Sequence, residues 1–388
     1  MSAVRPAAYA SSRNFIDGAV TGLSPYITHS LLSLSDVLSA VNDTHALNVQ
    51  HKFVFELGWR DYFRHVWKHR GDGILASLHD GLLPDAGYAS VLPQDIRNAC
   101  TGVPAIDTAV RSLYATGMLH NHARMWLASY VVHLRKVHWR AGADWLYGHL
   151  LDGDLASNYL SWQWVAGTGS RKPYLFNADN VARYAPAAWH SAGTVIDSSY
   201  DTLDHVARKA GAVLLQGAPS RSADVAFDEP ALTGHAPDHQ GLRPLGAAAV
   251  QGRDVWLVHP WALGALPADL PADAVVLGLW LSDFHQAWPW SPARWAFVQT
   301  RMAALAPLQW QGNAADVGAA LSQARSVRSV HEPHLAPWLP KLAQCSPAPA
   351  LFAAVDRRCD SFSQWWTRVT RGLDTAERLL AARTPAAW

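Results

Sequence analysis

The feature that most restricts the fold of this 388-residue chain is a change of pattern near residue 217. From about residue 25 to 200 apolar residues recur at helical spacing and strong strand signals are absent; beyond about residue 250 short apolar runs alternate with helical stretches. Between them, GAPSRSADVAFDEPALTGHAPDHQGLRPLG is rich in Pro, Gly, Asp and His without an apolar period, as expected of a linker or long surface loop. The spacing therefore predicts a multidomain chain: an all-α domain over 1–200, a linker or loop region over 201–250, and a small α/β domain with C-terminal helices over 251–388.

Within the first part, Ile106, Ala109, Val110, Leu113 and Tyr114 form a helical stripe between Pro104, a good first-turn residue, and Gly117, a good stop. In the last part DVWLVHP, AVVLGLWLS, LQWQG and SVRSVHE read as strands. Trp295, Val298, Met302 and Leu305 line one helix, and AADVGAALSQA reads as another. Strands and helices alternating in this way predict a parallel, Rossmann-like sheet. Neither G-x-G-x-x-G nor a P-loop sequence occurs, so nucleotide binding there has no motif support.

Composition excludes several classes. Three cysteines, Cys100, Cys345 and Cys359, are too few and too scattered for a disulfide framework or a four-thiolate cluster. The N-terminus has no apolar signal region and no uncharged apolar run of about 18 residues occurs, so a cytoplasmic protein without membrane contact is expected. A net charge of +1 means that a nucleic-acid partner would need a local basic patch. HEPH, with His331, Glu332 and His334 around Pro333, cannot be a helical zinc motif, and no metal is expected.

Three segments carry candidate chemistry. FELGWRDYFRHVWKHRGD places Glu56, Trp59 and Phe63 on one helix face beside a basic patch of Arg60, Arg64, Lys68 and Arg70. The plain alternative is a solvated Glu with a packing Trp and a solvated charged face. MLHNHARMWLASYVVHL aligns Asn121, Arg124, Met125 and Ala128; a buried Arg needs a carboxylate, and LDGDLASN offers Asp152 and Asp154 around Gly153. SWQW then sets Trp162 and Trp164 two residues apart, just after Asn158.

TGLSPYI (21–27), FELGWRDYFRH (55–65), TGVPAIDTAVRSL (101–113), MLHNHARM (118–125) and LLDGDLASNYLSWQW (150–164) resemble, in order and spacing, the FAD-binding domain of DNA photolyases and cryptochromes. The resemblance covers roughly residues 5–190 and implies FAD as cofactor. It implies that Thr21, Gly22, Leu23 and Ser24 wrap the FAD phosphates and that Tyr9 contacts the flavin, with Arg60 supplying charge because Gly22 stands where photolyases often have Arg. Arg124 and Asp152 are implied as the ion pair over the flavin ring, Gly153 and Asp154 as further contacts, and Asn158 as the residue facing flavin N5.

Glu56, Trp59, Asn121, Met125 and Trp164 match the lesion pocket, with Arg13, Arg64, Lys68 and His122 on the DNA-contacting side; His122 stands where Arg is usual. Trp162 and Trp139 match the inner electron-transfer tryptophans, against a plain packing role, and Tyr88 is the candidate exit residue. The implied activity is that of a deoxyribodipyrimidine photolyase, a lyase that repairs cyclobutane pyrimidine dimers in ultraviolet-damaged DNA by electron donation from photoexcited reduced FAD. The alternative is a cryptochrome-like blue-light photoreceptor. The family's N-terminal antenna domain has no counterpart ahead of the flavin domain, and the elements in 253–335 look like part of it moved to the other end. The antenna pigment and the oligomeric state stay open.

Overall fold

A computed structural model describes residues 2–210, 227–239 and 241–382. Of the expected 201–250 linker, residues 211–226 and 240 lie outside the described residues.

Two compact units emerge, divided differently from the boundaries expected from sequence. One comprises Arg5–Thr21 and Trp59–Pro230; the other comprises Met1–Val4, Gly22–Gly58 and Ala231–Trp388. Aromatic packing explains why residues 22–58 group with the C-terminal part. Phe55 meets Phe362 and Trp366 edge-on at 4.6 and 5.0 Å. Gly58 leaves room for Trp366, whose ring would lie 2.4 Å from a Cβ at that position. None of these long-range partners has a periodic signature in the sequence.

The helical unit is built from amphipathic helices with conventional ends. Helix α1 (Lys52–Arg70) enters it at Trp59. Helix α2 (Pro104–Thr116) buries the expected Ile106, Ala109, Val110, Leu113 and Tyr114, begins at its proline and stops at Gly117, which is left-handed at φ 65°. Helix α3 (Asn121–Ser129), α4 (Trp139–His149) and α5 (Leu155–Ala166) follow. α5 buries residues on almost every side, as a central helix must. Helix α6 (Tyr200–Arg208) ends on the ammonium of Lys136, which donates to the carbonyls of Val206 and Ala207 at 2.7 Å each. A cation at a helix C-terminus answers both the dipole and the open carbonyls.

The other unit carries a five-stranded parallel sheet. β1 (Asp254–Val258), β2 (Val275–Leu281), β3 (Leu308–Gly312), β4 (Ser326–Val330) and β5 (Gln344–Ser346) lie in the order β3-β2-β1-β4-β5. The four strands expected from sequence are present; β5, only three residues long, gave no apolar run. Helices α7 (Pro292–Leu305) and α8 (Ala314–Leu321) supply crossovers, and the order reverses between β2 and β4 around β1. HEPH follows β4. Glu332 there accepts from the His334 ring Nδ1 at 2.6 Å, and His334 stacks on Trp261 at 4.3 Å. Among the described residues no group of three or more His, Cys, Asp or Glu could hold a metal, and no helix is long and apolar enough to cross a membrane.

Candidate functional site

The helical unit concentrates buried charge where α1, α3 and the start of α5 supply side chains. Arg124 on α3 donates from Nε to the carbonyl of Leu119 at 2.8 Å and from Nη2 to both oxygens of Asp152 at 2.9 Å. Asp152 is presented by the turn after α4, closed by the Gly153 N–H on the Leu150 carbonyl at 3.2 Å. The expected partnership of Arg124 with the DGD segment is therefore present, and of the two aspartates it selects Asp152.

Asp154 is engaged differently. Its Oδ1 accepts from the Ser157 N–H at 2.9 Å, which caps α5, and its Oδ2 accepts from Arg64 at 2.8 Å. The Arg64 guanidinium, expected on the DNA-contacting side, is turned onto a buried carboxylate. Lys68, one turn further along α1, is exposed. Arg60 sits in the same field. Burial and the neighbouring Arg64 press its proton affinity down, while Asp154 and Asp152 hold it up. A guanidinium stays protonated regardless, so Arg60, Arg64 and Arg124 stand here among Asp61, Asp152 and Asp154.

This donor set fits a polyanionic, ring-bearing cofactor. The arginines suit a phosphate or an anionic ring, and Ser157 Oγ, buried in the first turn of α5, has no hydrogen-bond partner among the described residues. Asn158 is buried, with its amide NH2 fixed on the Ala143 carbonyl at 2.8 Å, leaving its Oδ1 as the group still available. At the N-cap of α3, burial and His122 press the pKa of His120 down to about 4, so its imidazole is neutral.

Trp162 and Trp139 lie on the neighbouring helices α5 and α4. Trp162 lies flat against Gly142, where a Cβ would come within 2.3 Å of the indole, and Gly142 is one turn from Trp139 on α4. Both indoles are buried, and Trp139 Nε1 donates to Ser77 Oγ at 2.9 Å. Tyr88 is half-buried and reaches Trp139 only through His138, with ring separations of 6.2 and 5.6 Å.

The expected lesion-contacting residues are dispersed over both units. Asn121 is exposed and its amide lies 3.6 Å from the Met125 sulfur, one turn along α3. Trp164 is 44% exposed and stacks on Tyr174 at 5.6 Å. Trp59 packs on Tyr62 and Phe63. His122 is half-buried between Tyr184 and Trp126, within the electrostatic reach of Arg13. Tyr9 and Thr21 belong to the helical unit; Gly22, Leu23, Ser24 and Glu56 belong to the other. Gly22 adopts φ 65° with open space where a Cβ would be, and Ser24 begins a short helix, Ser24–Thr28.

Sequence reasoning missed Ser157, whose role shows only once Asp154 is seen as a cap. It also missed Glu229, which binds Arg97 and the buried His149 Nε2, the latter at 3.1 Å. It also missed the i,i+4 pair Arg140 and Asp144 and the Tyr159 hydroxyl that joins it.

Residues 53–197 match the family described as the FAD binding domain of DNA photolyase. This segment is thus similar to the FAD-binding domain of photolyases and cryptochromes. It is 35% identical over 155 residues to a deoxyribodipyrimidine photo-lyase of Streptomyces griseus, covering 39% of this chain and 33% of that protein. It is 34% identical over 200 residues to a cryptochrome DASH of Ostreococcus tauri, covering 47% and 35%. A solved Synechocystis cryptochrome matches with TM-score 0.41 at 28% identity, over 46% of this chain and 39% of that one. The chain thus spans about a third of the length of these curated relatives. FAD is the cofactor of this domain, and the arginine-rich, partly unsatisfied site around Asp152, Asp154 and Ser157 fits it.

Proposed function

We propose that the protein repairs cyclobutane pyrimidine dimers in DNA under blue light. Bound and reduced, FAD supplies an excited-state electron donor. The chain's own residues bind, orient and insulate. The Arg124–Asp152 pair would lie against the ring, Arg60 and Arg64 would balance negative charge, and the amide of Asn158, turned by Ala143, would offer its oxygen to the ring. Trp164 provides an aromatic face for an extruded base, and Asn121 and Met125 a polar and a polarisable contact. Such contacts compensate the stacking that a flipped base loses.

Glu56 lies one helical turn before Trp59 on α1 and is assigned the hydrogen bond to the lesion. A neutral carboxyl donates there most strongly when the dimer carries the transferred electron. The observation that carries this reading is the Arg124–Asp152 pair, set in the same helical unit as an exposed stacking surface at Trp164. Relatives named both as photolyases and as cryptochromes leave a photoreceptor as the second reading, favoured by a His at position 122 packed between aromatic rings. Loss of dimers from an irradiated thymine oligonucleotide, under blue light with reductant, tests the first; no loss with fully reduced FAD selects the second.

A further inference from the structure

Tyr159 lies on α5, one turn before Trp162, and its side chain is wholly buried. Its ring stands edge-on to Trp139, the centroids 6.1 Å apart and the planes at 87°. Its hydroxyl donates to a carboxylate oxygen of Asp144, whose side chain is 47% exposed. Arg140 holds that carboxylate through Nε at 2.8 and 3.1 Å and lies over the Tyr159 ring at 5.2 Å. The phenol thus has its ring inside the protein beside a tryptophan and its proton acceptor at the edge of the solvent.

We propose that Tyr159 terminates the electron route from protein to flavin, with Asp144 as its proton acceptor. The assignment rests on the reading of Trp162 and Trp139 as electron carriers. Photoexcited oxidised flavin is the oxidant that removes one electron through the two indoles, leaving Trp139 a radical cation. Tyr159 then gives one electron to Trp139 and its hydroxyl proton to Asp144. The indole returns to its neutral closed-shell form, Tyr159 becomes a neutral phenoxyl radical, and Asp144 becomes a neutral acid that releases the proton to water.

The proton acceptor decides which tyrosine can do this. An oxidised phenol is a strong acid, and holding its proton would place an uncompensated cation in a buried site. Trp139 has only the Ser77 hydroxyl at its Nε1, which is a poor base, so the indole cation keeps its proton and remains a strong oxidant. Tyr88 is separated from Trp139 by His138, and the nearby Asp85 carboxylate faces the His138 ring at 3.5 Å. Tyr159 meets Trp139 directly and already holds a carboxylate. Once its proton has left, the phenoxyl radical no longer readily re-oxidises Trp139, which slows return of the electron along the same route.

The test is electron paramagnetic resonance of light-induced radicals in flavin-loaded protein carrying ring-deuterated tyrosine. The wild type is expected to show a radical whose lines narrow on deuteration. That signal is lost in Tyr159→Phe, which preserves the packing, and lost or markedly slowed in Asp144→Asn; it persists in Tyr88→Phe. A tyrosyl signal that survives Tyr159→Phe, is abolished by Tyr88→Phe, or is absent from the wild type overturns the assignment to Tyr159. An unchanged signal in Asp144→Asn overturns the role of Asp144. Trp162→Phe separates the underlying reading: if it stops radical formation while Tyr159→Phe changes nothing, only the tyrosine assignment fails, whereas undiminished radical formation in Trp162→Phe defeats the route itself.

Discussion

Arg124 Nη2 sits 2.9 Å from both carboxylate oxygens of Asp152, so one donor group spans the whole carboxylate. Arg124→Ala leaves a buried carboxylate without its cation and is expected to cost about 1.5–3 kcal/mol of stability. The FAD-to-protein ratio should fall with it. Arg124→Lys should recover only part, because an ammonium cannot match a guanidinium that also bonds the Leu119 carbonyl. Flavin absorbance against protein absorbance, with thermal melting, checks both.

Arg64 and Lys68 should behave differently although they are one turn apart on α1. Lys68→Ala is expected to weaken damaged and undamaged DNA alike and to lower the salt slope by about 1, as a phosphate contact does. Arg64→Ala removes the cation at Asp154 and should instead lower FAD retention. Equal effects of the two variants on DNA binding, with FAD unaltered, would contradict the ion pair's importance.

How much of this was legible in the sequence follows the range of each interaction. The α2 stripe from Ile106 to Tyr114 and its Pro and Gly ends are local, and they appear where periodicity puts them. The apolar runs of β1 and β2 mark buried parallel strands. The grouping of residues 22–58 with the C-terminal part depends on Phe55 and Gly58 meeting Trp366, which is hundreds of positions further along, so no period reveals it. At the site, Arg124 demanded a carboxylate on energetic grounds and the family resemblance pointed to Asp152; the engagement of Asp154 by Ser157 and Arg64 shows only in the structure.

The helical unit should lose stability in mild acid through His133. Its Nε2–H donates to the Val165 carbonyl at 2.9 Å, its Nδ1 is buried without a partner, and burial pushes its pKa down to about 4. The unfolded chain takes up this proton near the ordinary histidine value of about 6.5. Stability present above that value is therefore lost as pH falls from about 6.5 towards 4, by at most roughly 3 kcal/mol for this group. His133→Gln, which can keep the bond to Val165, should flatten the pH dependence; urea unfolding near neutral pH and at about pH 5 reads the difference.

Trp162→Phe should slow photoreduction of oxidised FAD while sparing repair by chemically reduced protein, since phenylalanine fills the space but is much harder to oxidise. Gly142→Ala puts a Cβ 2.3 Å from the Trp162 ring and should cost about 1–3 kcal/mol by overpacking, offset in part by alanine's better helix propensity. Photoreduction rates and melting temperatures of the two variants distinguish loss of the carrier from its displacement.

The most direct test is dimer splitting itself, followed on a thymine-dimer oligonucleotide with fully reduced FAD under matched blue light. Wild type is expected to restore thymines in the light and not in the dark. Glu56→Ala should cut repair yield far more than binding, and Trp164→Ala should weaken lesion binding roughly 5- to 150-fold, the loss of about 1–3 kcal/mol of stacking. If wild type carrying fully reduced FAD splits no dimer in single- or double-stranded substrate, repair is not its function.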